Sequence, residues 1–197
     1  MAGRLRNAFF LLVAATILMV GSGFASEEST TEAPSPPAPG SPAPLFSAHR
    51  LHGGTLSLAS LRGQVVLLNF WAPACPPCRI EMPQLEKIHR RYAGRGLQVI
   101  GITEMDPSRE QVLGALKNVL VTYPILLDPG ARIGSLYAIA AHPTSIVVDA
   151  RGLVHYVNIG YLKGEEKDLE RAILQALETR QTRSIGTRSP DARDGGP

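Results

Sequence analysis

Asn69-Phe70-Trp71-Ala72-Pro73-Ala74-Cys75-Pro76-Pro77-Cys78-Arg79 decides the fold and the chemistry of this 197-residue chain. Its two cysteines are the only ones in the sequence. They follow an apolar run and open a helical pattern. Two intervening residues at a helix start bring the two Cβ atoms close enough for a disulfide. Free backbone N–H groups and the positive end of the helix dipole then stabilise a thiolate on the first cysteine. The thiolate is the attacking species, and thiols at this spacing are commonly more acidic than free cysteine. Cys78, one helical turn further in, is shielded and suits a resolving role. Pro76 and Pro77 stiffen the ring and remove two N–H donors that a helix start leaves unpaired anyway. A zinc site is the competing reading of the spacing. It needs four ligands, and with no second such pair and no His-x₃₋₅-His it would require a second chain. A purely structural disulfide is disfavoured, because so small a loop constrains little of the unfolded chain.

The N-terminus reads as an export segment. Arg4 and Arg6 precede the apolar stretch Ala8 to Val20, and Gly23-Phe24-Ala25 is a small-x-small cleavage site. Residues 1–25 are therefore a signal peptide or, uncleaved, a membrane anchor; the apolar run is short against the roughly 20 residues of a spanning helix. Either way the domain is expected outside the cytoplasm, where disulfides persist. Residues 26–44 form a linker with six prolines between Pro34 and Pro44, expected to run as semi-extended polyproline II. Residues 179–197, rich in Arg, Ser, Gly and Pro, read as a disordered tail. The formal net charge is +3, and residues 33–179 hold fourteen Lys/Arg against twelve Asp/Glu. That near balance gives no electrostatic case for nucleic acid.

Between these extensions the chain punctuates itself clearly. Thr55–Leu58 alternates as a short strand, and Val65–Phe70 and Leu97–Thr103 are apolar runs of buried-strand length. Cys75–Arg91 is a helix with Ile80, Leu85 and Ile88 near one face and Pro83 predicting a kink. Asp106-Pro107-Ser108 opens a second helix running to about Leu120, with Pro107 near its first position. Tyr123–Asp128 is extended, and a helix lies near Ala131–Tyr137. Ser145–Asp149 and Leu153–Ile159 form a hairpin across Ala150-Arg151-Gly152. Glu165–Glu178 is the last helix, with Leu169, Ile173, Leu174 and Leu177 as its stripe. The order predicts an α/β fold, one mixed central sheet with helices on both faces and an N-terminal β extension.

These elements and motifs resemble the thioredoxin superfamily, and within it the exported TlpA/ResA/CcmG branch. The resemblance rests on Val66-Leu67-Leu68-Asn69-Phe70-Trp71-Ala72, Cys75-Pro76-Pro77-Cys78, Glu81-Met82-Pro83 and His142-Pro143-Thr144, and spans residues 45–178. It implies that Pro143 is a cis-proline facing the disulfide, which excludes metals from the thiols and leaves the preceding backbone free for a substrate chain. Trp71, Pro76, Pro77, His142 and Thr144 would then border the substrate. Thioredoxin's buried aspartate is replaced by Asn69, and the branch carries an acid on the next strand. Glu104 is the candidate, with Asp106 second, to take the proton from Cys78; otherwise Glu104 is a solvated loop carboxylate and Asp106 a helix cap. Ala74 stands where many relatives have an aromatic residue. His142 is either an exposed ring or an imidazolium that stabilises the Cys75 thiolate and makes the disulfide more oxidising.

The resemblance thus implies an extracytoplasmic thiol–disulfide oxidoreductase that reduces client disulfides. Its implied clients are apocytochrome c or copper-site cysteines. Its implied electron donor is a membrane protein of the DsbD or CcdA type. A disulfide-forming oxidant is the rival within the fold; a non-catalytic metal- or client-binding module is the rival outside it. No haem, nucleotide or flavin motif is visible, no cofactor or metal is expected, and a monomer is the default.

Overall fold

The computed structural model describes residues 35–186. The expected export segment, residues 26–34 of the proline-rich linker and residues 187–197 lie outside the described residues. In chain order the elements are β1 (Ser47–His49), β2 (Thr55–Ser57), β3 (Val65–Trp71), α1 (Pro76–Tyr92), β4 (Leu97–Thr103) and α2 (Arg109–Leu116). There follow β5 (Ile125–Leu127), α3 (Arg132–Leu136), β6 (Thr144–Val148), β7 (Val154–Ile159) and α4 (Glu166–Gly186). Five strands form one sheet in the order β5-β4-β3-β6-β7. β3 pairs parallel with β4 and antiparallel with β6. β1 and β2 form a separate antiparallel hairpin, joined to the β5 edge by a bridge from Arg50 to Leu126.

β3 lies at the centre and is buried along its whole length, which is why its sequence is apolar on both parities. Val65, Leu67 and Trp71 pack under α1 and α4, with Cys78, Met82, Leu85, Leu169 and Ile173. Val66, Leu68 and Phe70 pack on the other side with Phe46, Leu56, Ile133 and Tyr137. Helices therefore cover both faces, as the element order predicted. The parallel strands β3 and β4 end, and the antiparallel strand β6 begins, at one pole of the sheet. The turn between β3 and α1 and the segment before β6 meet at that pole.

Several boundaries differ from the sequence reading. Ile80 is 60% exposed. At about 100° per residue it lies roughly 140° from Leu85, so the buried face is Cys78, Glu81, Met82, Leu85, Ile88 and Tyr92. α1 continues through Pro83 as one element, with that proline on the solvent side. Leu58 belongs to a short 3₁₀ turn, Leu58–Leu61, rather than to a strand. The second helix starts at Arg109 and ends at Leu116, short of Leu120. Ser108 caps it, accepting from Gln111 N while Gln111 returns the bond to Ser108 N. That capping box leaves Pro107 outside the helix.

The two flanking extensions are also shorter than expected. Gly40 N donates to Val154 O, Val154 N to Ser41 O and Ala43 N to Gly152 O, so the end of the linker pairs with the β6–β7 hairpin. Prolines at 39, 42 and 44 leave alternate backbone groups free to make those bonds. At the other end α4 runs eight residues past Glu178. Its stripe ends at Leu177, but Arg180 donates to Gly63 O at 2.5 Å and Arg95 O at 3.1 Å, tying the helix to two loops. Among the described residues no helix is long and apolar enough to cross a membrane.

Candidate active site

The chain leaves β3 at Trp71 and turns into α1 through Cys75. Cys75 is the helix N-cap, in extended conformation at φ −93° and ψ 103°. Pro76 and Pro77 occupy the first positions, where no intrahelical N–H is required. Cys75 and Cys78 are joined by a disulfide, with Cα atoms 5.4 Å apart. Cys78 N donates to Cys75 Sγ at 3.2 Å. The same N–H would stabilise the thiolate once the bond is reduced, beside the positive end of a 17-residue helix. Cys75 is half-buried and Cys78 fully buried. An incoming sulfur can reach the first thiol; the second is reached only through the first.

The His142–Pro143 bond is cis, as the resemblance implied. Pro143 is buried, and its carbonyl accepts from Gly160 N at 2.7 Å. Pro76 is exposed, and Pro77 and His142 are half-buried. Two residues expected to touch substrate do not reach the surface. Trp71 is 0% exposed because it shares strand parity with Val65 and Leu67. Thr144 is 1% exposed and donates its hydroxyl to Ala141 O at 2.8 Å. Thr144 instead pins the turn that carries Pro143, and Trp71 packs in the core beneath Cys78. His142 is neither the exposed ring nor the imidazolium of the two sequence readings. Burial pushes its imidazole below the ordinary histidine range, and Nε2 has no partner among the described residues.

Glu104 also lies elsewhere than expected. It is buried rather than solvated. Its parity follows Ile100 and Ile102 onto the α3 side of the sheet, whereas Cys78 lies on the α1 side. Its N–H donates to Trp71 O at 2.7 Å. Its carboxyl meets buried Asp128 and the bare backbone of Gly134, where a β-carbon would collide with it. Burial first, then the Asp128 charge and hydrogen bond, raise its pKa to about 7. Asp128 Oδ2 in turn accepts from Ile133 N and Gly134 N. The pair thus ties the end of β4 to α3. Asp106 is exposed and accepts from Gly130 N at 3.3 Å; the cap of α2 is Ser108.

The acid on the thiol side is Glu81, whose role the sequence reading left unassigned. It stands three residues after Cys78, which puts both on one face of α1. It is 2% exposed. Asn69 Nδ2 donates to its Oε2 at 2.8 Å and Ser145 Oγ to its Oε1 at 3.2 Å. Asn69 Nδ2 also lies 3.0 Å from Ser145 Oγ. Burial dominates and raises the Glu81 pKa to about 7, against those two hydrogen bonds; the Glu165 charge adds to the rise. A carboxyl poised there, one turn from a buried thiol, can accept and return a proton near neutral pH. The signal was available: a charged residue at the third position after Cys78 shares the helix face of Met82 and Leu85.

A family model, the AhpC/TSA family, matches residues 39–157. The thioredoxin-like protein YneN of Bacillus subtilis is 35% identical over 130 residues, covering 66% of this chain and 76% of that protein. The thiol-disulfide oxidoreductase ResA of Halalkalibacterium halodurans is 32% identical over 115 residues, covering 58% of this chain and 65% of ResA. Among solved structures, a thiol:disulfide interchange protein of the thioredoxin family from Chlorobium tepidum is 31% identical. It superposes with a TM-score of 0.62 over 72% of this chain and 99% of that one. The five-stranded mixed sheet is thus a thioredoxin-like fold.

Proposed function

The chain belongs to the AhpC/TSA family, and from that premise we propose that it reduces protein disulfides outside the cytoplasm by dithiol exchange. As a thiol–disulfide oxidoreductase it needs one accessible and one sheltered thiol. The observation that carries the reading is the disulfide itself, whose half-buried N-cap sulfur accepts a hydrogen bond from the amide of its fully buried partner.

In the reduced protein the Cys75 thiolate attacks one sulfur of a client disulfide. A Cys75–client disulfide forms, and the other client sulfur leaves as a thiolate that takes a proton from water. Cys78 then attacks Cys75 Sγ and gives its proton to the Glu81 carboxylate. The client's second thiolate departs, and the Cys75–Cys78 disulfide carries the two electrons' worth of oxidation. Glu81→Gln removes the acceptor while keeping the shape and the neighbours. Its rate of mixed-disulfide resolution, measured in single-turnover stopped flow, should fall by about 10²-fold or more at pH 7. An unchanged rate would remove Glu81 from the mechanism.

The direction follows from how strongly the Cys75 thiolate is favoured. The Cys78 amide and the start of α1 support it, but His142, the imidazole at the cis-proline, is held neutral by burial. That leaves the disulfide less oxidising than a histidinium neighbour would make it, which favours the reductant. The potential of the isolated described domain tests this. A value near or below about −270 mV is expected; one near about −120 mV would make the protein an oxidant. Clients on this reading present vicinal cysteines, as in the haem-binding CxxCH of apocytochrome c or a copper site. The protein acts as a monomer, exported or tethered by residues 1–25, and is recharged by a membrane donor of the DsbD or CcdA type.

A further inference from the structure

β4 carries a glycine at 101, in register with Asn69 of β3. A β-carbon on Gly101 would lie 2.6 Å from Ile125 Cδ1, 3.2 Å from Trp71 Nε1 and 3.4 Å from Tyr123 Cε2. The indole N–H, the edge of the tyrosine ring and the Ile125 methyl therefore converge over Gly101, one strand from Asn69. Asn69 Oδ1, Trp71 Nε1 and Tyr123 Oη are all buried, and none has a hydrogen-bond partner among the described residues. Asn69 and Trp71 are 0% exposed and Tyr123 3%. The indole can only donate, the amide oxygen can only accept, and the phenol can do both. Left unmet, each such group carries the full penalty of its lost hydration. A single water within reach of all three would satisfy this set, since buried waters typically make about three hydrogen bonds to otherwise unsatisfied groups.

We propose that Tyr123 is a positioning residue for Glu81: its hydroxyl, with Trp71 Nε1 and Asn69 Oδ1, seats a buried water beside Gly101 that locks the Asn69 amide toward the Glu81 carboxyl. The water donates to Asn69 Oδ1 and so fixes which end of that amide faces Glu81. With the amide locked, Nδ2 donates to Glu81 Oε2, as observed, and favours the carboxylate. Without the water Asn69 is free to turn its oxygen toward the carboxyl, which favours the protonated acid. The other groups that sense Glu81 are Tyr161 and Glu165 between β7 and α4, and Tyr123 itself. His89 stacks edge-on against Tyr123 with ring centroids 5.9 Å apart, and Glu86 lies near it. Tyr123→Phe leaves all the rest in place, and Gly101→Ala displaces the Ile125 methyl but none of these charged groups.

This inference rests on Glu81 taking the Cys78 proton, and the experiment separates the two. The pH profile of mixed-disulfide resolution is measured for the full chain and for three variants. Glu81→Gln should remove the inflection near neutral pH. Tyr123→Phe, which deletes one oxygen, should keep it but move it upward by about 0.5 pH unit or more, a rate loss of about threefold on the rising limb with the high-pH plateau intact. Gly101→Ala, whose β-carbon crowds the Ile125 methyl and the indole while keeping the hydroxyl, should move it the same way. A merely structural tyrosine would lower the melting temperature without moving the inflection. An inflection that stays put in both Tyr123→Phe and Gly101→Ala, yet disappears in Glu81→Gln, overturns the proposal alone. An inflection that survives Glu81→Gln overturns the role of Glu81 and this proposal with it.

Discussion

Cys78→Ser should stop turnover and leave the protein covalently joined to its client. Cys75 is the half-buried N-cap and Cys78 is fully buried one turn below it, so only Cys75 can meet a client sulfur. Without the second thiol the mixed disulfide has no internal attacker, and the adduct accumulates one-to-one with client. Non-reducing electrophoresis and intact mass should show it, and dithiothreitol should release it. Cys75→Ser should form no adduct, and its turnover should drop to the background of free thiols. If Cys78→Ser captured nothing while Cys75→Ser did, the two roles would be reversed and the burial argument wrong.

The oxidised domain should be markedly more stable at pH 5 than at pH 8. Glu81 and Glu104 are raised in the folded state from 4.5 to about 7. Between those values the folded protein holds a proton on each that the unfolded chain has released. Stability then falls with rising pH by about 1.4 kcal/mol per unit for each group, or about 3 kcal/mol apiece across the window. The contribution is complete below about pH 4.5 and gone above about pH 7. Glu86 and Asp149, lowered by their hydrogen bonds and by Arg90 and Arg151, act oppositely. Their stabilisation is present above the ordinary carboxylate range and lost as pH falls through it. Urea midpoints taken from pH 4 to 9 should therefore peak near pH 5. Glu81→Gln and Glu104→Gln should each flatten the decline from pH 5 to 7. A midpoint that is level or rises across that interval would show that neither carboxyl holds its proton in the fold.

The centre of this fold was legible because its signals are local. A seven-residue apolar strand, a cysteine pair and a helix start lie within one stretch, and each depends only on its neighbours. Side-chain direction was the harder part. Trp71 follows the parity of Val65 and Leu67 into the core, and Glu104 follows Ile100 and Ile102 to the α3 side. Both facts were present in the alternation of strands β3 and β4, but only once the two faces had owners. Glu81 was passed over because a carboxylate inside an apolar helix face reads as solvated until Asn69 and Ser145, 12 and 64 residues away, are seen to hold it. The length of α4 was not legible in its own residues. It depends on Arg180 reaching carbonyls 85 and 117 positions back.

The pairing of Gly40–Ala43 with the β6–β7 turn also fixes the pole from which the leading segment departs. That turn joins the end of β6 to the start of β7, at the opposite end of the sheet from Pro143 and the disulfide. A strand the length of β3, seven residues or about 23 Å, separates the two. Residues 40–43 and the reactive sulfur therefore occupy opposite ends of the domain.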